Sequence, residues 1–236
     1  EYITQIMSPS KVYPELLLKT MHIKGSKIAT EILGDDIILD FDMLINKAPN
    51  TNKITPWHQD AAYWIDMPDK RALSIWFAID DATVDNGCMW YTPGSHLLPL
   101  RKHSQPVKGG ALQCIGTEKE SAYTPLNPGS CVIHHGNTLH YSRGNSTNNN
   151  RRALILNYRP KKVEYDNRLD STNEEAWELI EEEQENQHGT IVITENQIRG
   201  KGRKENSWSM VAGKGLAVSV ILDKKYPSNR SSFISL

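Results

Sequence analysis

Short apolar runs separated by turn-forming residues fill the first two thirds of the chain, and this alternation constrains its fold more than any other feature. Residues 37–45, 72–79, 88–92, 130–134 and 153–158 are apolar and of strand length. Pro49-Asn50, Asp85-Asn86-Gly87, Pro93-Gly94-Ser95, Asn127-Pro128-Gly129 and the polar stretch Ser146–Asn150 separate them. Each of these contains residues that pre-set or tolerate turn dihedrals. Many short strands punctuated in this way predict a mainly β sandwich or barrel. Residues 10–33 read as helix packed outside the sheets, with Gly34-Asp35-Asp36 as a stop signal. The chain opens at Glu1, without Met, inside what reads as a helical segment, as expected of a fragment.

The pattern changes near residue 163, so we divide the chain into segments 1–162 and 163–236. In the second, Ser171 or Thr172 would cap a helix whose first turn is acidic and whose buried face is Ala176, Trp177, Leu179 and Ile180. Strands at 190–194 and 215–222 flank a Gly-rich basic loop at 200–204.

Charge and cysteine content exclude several classes. With 27 Lys+Arg against 28 Asp+Glu, the chain has no broad basic surface for nucleic acid or anionic lipid. It contains no run of ~18 apolar residues that would span a membrane. Three cysteines cannot all pair and none sits in a CxxC motif, which suits a reducing cytoplasm.

The main chemical signal is His58-Gln59-Asp60, followed by His140 and Arg151. On an extended strand, residues two apart share a face, so His58 and Asp60 can reach one ion together. A histidine from a distant strand completes a three-ligand face that suits Fe(II) and leaves coordination positions open. Trp57 and the stretch Ala61-Ala62-Tyr63-Trp64 surround the pair with apolar residues, where a carboxylate needs a partner. Arg151 opens an apolar strand, where an unpaired guanidinium is costly unless it grips a carboxylate. A one-residue register slip would exchange Arg151 for Arg152, and spacing favours Arg151. His134 and His135 are neighbours, so only one of them can face the metal. Lys47 reads equally as a pocket residue or a strand-end lysine; His96 and His103 read as turn or surface residues.

Three stretches carry a family resemblance: MLINKAPNTNKITPWHQDAAYW, LSIWFAIDDATVDNGCMWYTPGSH, and residues 129–160 ending HHGNTLHYSRGNSTNNNRRALILNYRP. Over residues 10–160 the chain resembles the phytanoyl-CoA dioxygenase family of Fe(II)/2-oxoglutarate oxygenases. The resemblance implies a double-stranded β-helix, a cupin-like jelly roll, with flanking N-terminal helices. It implies that His58, Asp60 and His140 ligate iron and that Arg151 holds the distal carboxylate of 2-oxoglutarate. Ser142 would assist Arg151, and Trp76, Met43 and His135 would line the co-substrate pocket. The implied reaction consumes O2 and 2-oxoglutarate, releases succinate and CO2, and hydroxylates a small organic metabolite. Asp60 disfavours halogenation, because related halogenases have Ala or Gly at that position. A metal-binding jelly roll without turnover, and a zinc hydrolase using the same ligands, are the alternatives.

Residues 164–224 resemble the opening part of a biotin–protein ligase catalytic domain, in RLDSTNEEAWELI and GTIVITENQIRGKGRKENSWSMVAGKGLAVSVIL. Ser171, Thr172, Asn173 and Gln197 would match biotin-pocket positions. Gly200, Lys201, Gly202 and Arg203 would match the loop over biotin and its adenylate, and Trp208 a residue beside the adenylate. Glu205 replaces a glycine usual in that loop, and the chain ends before the family's lysine-containing motif. The expectation is therefore an incomplete α+β segment that does not biotinylate.

Overall fold

The computed structural model describes residues 3–63, 69–106, 110–161, 163–165, 168–182, 189–201 and 207–222. It divides into two compact units, Glu1–Pro160 and Lys161–Leu236.

The first unit is a two-sheet jelly roll. Its larger sheet has the order β1-β2-β9-β4-β7, formed by Ile3–Met7, Ile37–Lys47, Arg151–Pro160, Leu73–Ala78 and Cys131–His135. The smaller sheet has the order β3-β8-β5-β6, formed by Thr55–His58, His140–Ser142, Met89–Tyr91 and Ala122–Thr124. Ile45, Trp76, Ala78, Ala153 and Ile155 of the larger sheet pack with Met89 and Tyr91 of the smaller. The inter-sheet core is therefore made by every second residue of each strand. The other face of the larger sheet presents Leu73, Ile75, Phe77, Leu154, Leu156 and Tyr158 to Ala29, Met21 and Ile28 of helix α2, Thr20–Leu33.

Helix α2 sits close because Gly25 has no side chain. A Cβ there would lie 2.7 Å from Leu156 Cδ1 and 3.0 Å from the Tyr158 hydroxyl. The expected single helix over residues 10–33 is interrupted: α1 is Pro9–Val12, Pro14–Leu18 is a 3-10 turn, and α2 follows. Pro14 lacks the N–H that a continuous helix needs and keeps Tyr13 out of the helical region, at φ −126° and ψ 81°. The opening residues also differ from expectation. Ile3–Met7 is not helical but an edge strand, antiparallel to residues 43–47 of β2.

The second unit has a three-stranded sheet, β10-β11-β14, of Val163–Tyr165, Ile191–Thr194 and Ala217–Val220. Helix α3, Thr172–Glu182, packs Ala176 and Leu179 on Val192 and Ile221. Gly200–Lys201 and Ser207–Trp208 form a small hairpin, β12-β13. Among the described residues, no helix is long and apolar enough to cross a membrane.

Candidate active site

Cross-strand pairing builds the site. His58 on β3 lies opposite His140 on β8, and His140 lies opposite Tyr91 on β5, so the three form one row across the smaller sheet. On the larger sheet, Ser74 of β4 lies opposite both His134 of β7 and Asn157 of β9, which makes a second row. Asp60, in the 3-10 turn Asp60–Tyr63 that follows β3, reaches both rows.

The imidazole Nδ1 atoms of His58 and His140 lie 2.8 Å from the carbonyl oxygens of Pro56 and Thr138. Each Nδ1–H thus donates to backbone, which leaves Nε2 bare and aimed at the site. The Nε2 atoms stand 3.5 Å (His58) and 3.7 Å (His140) from Asp60 Oδ1. One ligand atom from each of His58, Asp60 and His140 can be chosen so that all lie within 4.8 Å of one another. Two neutral imidazoles and one carboxylate converging on one point fit a divalent transition metal.

Electrostatics agree with shared use of charge. Burial raises the Asp60 pKa, but the pull of His140, His134 and His58 outweighs it and holds the carboxyl well below its ordinary range. Burial, reinforced by His58, pushes His140 well down. Burial also lowers His58, but Asp60 more than compensates and raises it.

A second polar centre lies further along β9. Arg151 is 1% exposed, and its Nε, Nη1 and Nη2 have no hydrogen-bond partner among the described residues. Its guanidinium carbon stands 5.2 Å from the centre of the Trp76 ring. Burial pulls its pKa down to about 10, so it remains a cation at neutral pH. An isolated buried cation costs several kcal/mol, so a site that keeps one is built for an anion. Ser142, two residues beyond His140 and therefore on the same face, is fully buried, and its Oγ has no hydrogen-bond partner among the described residues. Met43 packs at the edge of the same inter-sheet core.

Register turns Arg151 inward, whereas Arg152 points outward and pairs with Asp80, Nη2 to Oδ1 at 2.7 Å. Lys47, directly opposite Arg151, donates to the carbonyls of Lys53, Ser142 and Arg143 and so ties loops together. His135 is the exception among the expected pocket residues. It lies on the other face of β7 from His134; its Nδ1 accepts from the Asn137 N–H and its ring lies 6.0 Å from that of His96. The strand pleat turns His134, not His135, toward Ser74 and Asp60. His134, Ser74, Asn157 and Tyr91 are site residues that reading the sequence missed. Parity within Cys131–His135 separates the two histidines, but only pairing with β4 says which one faces inward. Trp57 stacks on Tyr141 at 4.3 Å and Trp90 carries Arg143 at 4.8 Å, away from the metal row.

In the second unit, the Thr172 N–H donates to Gln197 Oε1 at 2.8 Å, and Ser219 Oγ lies 2.9 Å from Thr172 Oγ1 and 2.6 Å from Asn173 Oδ1. Ser171 Oγ is buried with no hydrogen-bond partner among the described residues. A Cβ on Gly200 would collide with Gln197 and Trp208, so these residues do gather. Lys201 pairs instead with Glu174. Gly202 and Arg203 lie outside the described residues.

Fold and ligand set together define a jelly roll built around a two-histidine, one-carboxylate metal-binding face. The phytanoyl-CoA dioxygenase (PhyH) family profile matches residues 14–153. The chain belongs to the phytanoyl-CoA dioxygenase family. It is 32% identical over 122 residues to phytanoyl-CoA dioxygenase domain-containing protein 1 of Bos taurus, covering 48% of this chain and 42% of that one. It is 29% identical over 142 residues to the peroxisomal phytanoyl-CoA dioxygenase of Rattus norvegicus, covering 56% and 42%. The chain thus spans less than half the length of these curated relatives. Among solved structures it resembles EvdO2 of Micromonospora carbonacea var. aurantiaca complexed with 2-oxoglutarate, at 34% identity and TM-score 0.60, covering 66% of each chain. The epimerase SnoN from nogalamycin biosynthesis, in complex with Fe3+, α-ketoglutarate and nogalamycin RO, is 25% identical, with TM-score 0.54, covering 68% of this chain and 64% of that one.

Proposed function

We propose that the first unit is an Fe(II)- and 2-oxoglutarate-dependent oxygenase that hydroxylates a small organic metabolite. The observation that carries this reading is the buried, unpartnered Arg151 guanidinium in the same inter-sheet core as the ligand cluster. A protein that only stored metal, or a zinc hydrolase, has no use for it. In this reading His58 and His140 bind through Nε2 and Asp60 through Oδ1. Arg151 takes the distal carboxylate of 2-oxoglutarate in a forked contact, with the Ser142 hydroxyl donating to the same group. Trp76 and Met43 wall the co-substrate and keep water from it. Iron, 2-oxoglutarate and O2 supply the oxidising chemistry that places a hydroxyl on a C–H bond, with succinate and CO2 as co-products.

The test needs no substrate. Fe(II) and then 2-oxoglutarate are added to the purified chain without oxygen, and the visible charge-transfer band of the chelate is recorded. The band should form in the wild type and vanish in His140→Ala. Metal binding without the band would overturn the co-substrate assignment.

For the second unit, the gathering of Ser171, Thr172, Asn173 and Gln197 supports a ligase-type biotin pocket without ligation. Biotin-AMP formation from biotin and ATP would contradict the second half of that reading.

A further inference from the structure

We propose that His134, together with Ser74, is a positioning residue that restricts Asp60 to one-oxygen attachment at the metal. The inference rests on the reading of His58, Asp60 and His140 as ligands.

Asp60 divides its two oxygens between the two sheets. Oδ1 faces the bare Nε2 atoms of His58 and His140. Oδ2 faces the other way and meets two donors from the larger sheet: Ser74 Oγ at 2.5 Å and His134 Nε2 at 3.2 Å. Ser74 Oγ also lies 2.6 Å from the Asn157 side-chain amide. One hydroxyl proton serves one acceptor at a time, and the charged carboxylate is the stronger. The Asn157 amide, which can present nitrogen by a half-turn, backs the hydroxyl from behind.

The arrangement follows from register. Ser74 is paired on one side with His134 and on the other with Asn157, so the three side chains stand in line under Asp60. The His134 side chain is 6% exposed, and its Nδ1 is buried with no hydrogen-bond partner among the described residues. A proton on that nitrogen would be a buried, unsatisfied donor, so the neutral ring carries its one proton on Nε2, toward Asp60. The ring is held by His140 at 4.5 Å and Tyr91 at 5.0 Å, so it cannot turn away freely. With both donors engaged, Oδ2 is not available to the metal. A carboxylate free to attach through both oxygens would occupy a position that co-substrate or oxygen needs. His134 and Ser74 therefore keep that position open and aim Oδ1.

The experiment is an anaerobic titration of the full chain with Co(II), read by its visible ligand-field bands, alongside the melting temperature of the metal-free protein. His134→Leu and Ser74→Ala should each weaken metal binding ~10–100-fold, the range seen when an outer hydrogen-bond partner of a ligand is lost. His134→Gln keeps an N–H donor at comparable reach and should restore most of the affinity. A role in packing alone would lower the metal-free melting temperature in the Leu and Gln variants and leave metal affinity untouched. If both His134→Leu and Ser74→Ala bind Co(II) within about twofold of wild type, below any outer-partner effect, the positioning role is wrong. If His140→Ala still loses metal in that case, the ligand assignment survives. If the wild type binds no metal that His140→Ala removes, the ligand assignment itself falls. Should His134→Leu fail to fold, Ser74→Ala and His134→Gln decide the matter.

Discussion

The two polar ends of the inter-sheet core are built on opposite terms. At the Asp60 end, the carboxylate finds donors of its own in Ser74 and His134, and the ligand histidines anchor their Nδ1 atoms to backbone carbonyls. At the Arg151 end, three guanidinium nitrogens and the Ser142 hydroxyl are buried with no hydrogen-bond partner among the described residues. The first end already gives its carboxylate and its ligand Nδ1 atoms their hydrogen bonds and can form before any ion arrives. The second carries a standing electrostatic debt that a dianionic ligand discharges. Evolving the first end constrains many residues at once, whereas the second depends on one side chain and its aromatic floor.

The largest effect should come from the first end. Asp60→Ala should abolish metal binding, exceeding the ~10–100-fold cost of losing an outer partner, as isothermal titration with Co(II) would show. Retained affinity would remove the distinction between ligand and surroundings. Arg151→Met should have two effects of opposite sign. Affinity for 2-oxoglutarate should fall by about 2–5 kcal/mol, read from the chelate band. The ligand-free protein should gain roughly 1–4 kcal/mol in stability, read from chemical unfolding, because a lone buried charge is replaced by an apolar chain. A destabilised Arg151→Met would mean that the guanidinium is already satisfied, and the contrast between the ends would collapse. Ser142→Ala should weaken 2-oxoglutarate by about 1 kcal/mol and leave metal affinity alone. Smallest of all, Arg152→Ala should cost less than about 1 kcal/mol of stability and leave co-substrate affinity unchanged, since its pair with Asp80 is exposed.

Much of this was legible before the fold was known, for physical reasons that differ by element. Residues 72–79 and 153–158 read as strands because both of their faces are buried, one against α2 and one against the smaller sheet, and 37–45 because both of its faces are partly covered. His58 and Asp60 announced themselves as a polar pair in an apolar setting. Arg151 was chosen over Arg152 by spacing, and the pleat of β9 agrees. Ile3–Met7 was illegible because four of its five residues are exposed, so no alternation marks it and its pairing with β2 alone makes it a strand. His134 was missed for a related reason. Adjacent histidines carry no sign of which one faces inward, and the answer lies in a partner strand more than fifty residues earlier.

Strand β9 acts as a measuring rod. It lies inside its sheet, hydrogen-bonded to β2 on one side and β4 on the other. Asn157, behind Ser74, and Arg151 stand on its inner face with Ile155 and Ala153 between them. At ~3.3 Å per residue, the six steps between them set a separation of about 20 Å between α-carbons, which side chains from both ends then shorten. Because that distance is counted in peptide units and clamped on both edges, thermal motion cannot change it appreciably. Under the co-substrate reading proposed above, the reach between the two ends is therefore written into the backbone itself, and a single-residue insertion in β9 between Arg151 and Asn157 would turn one of them to the opposite face.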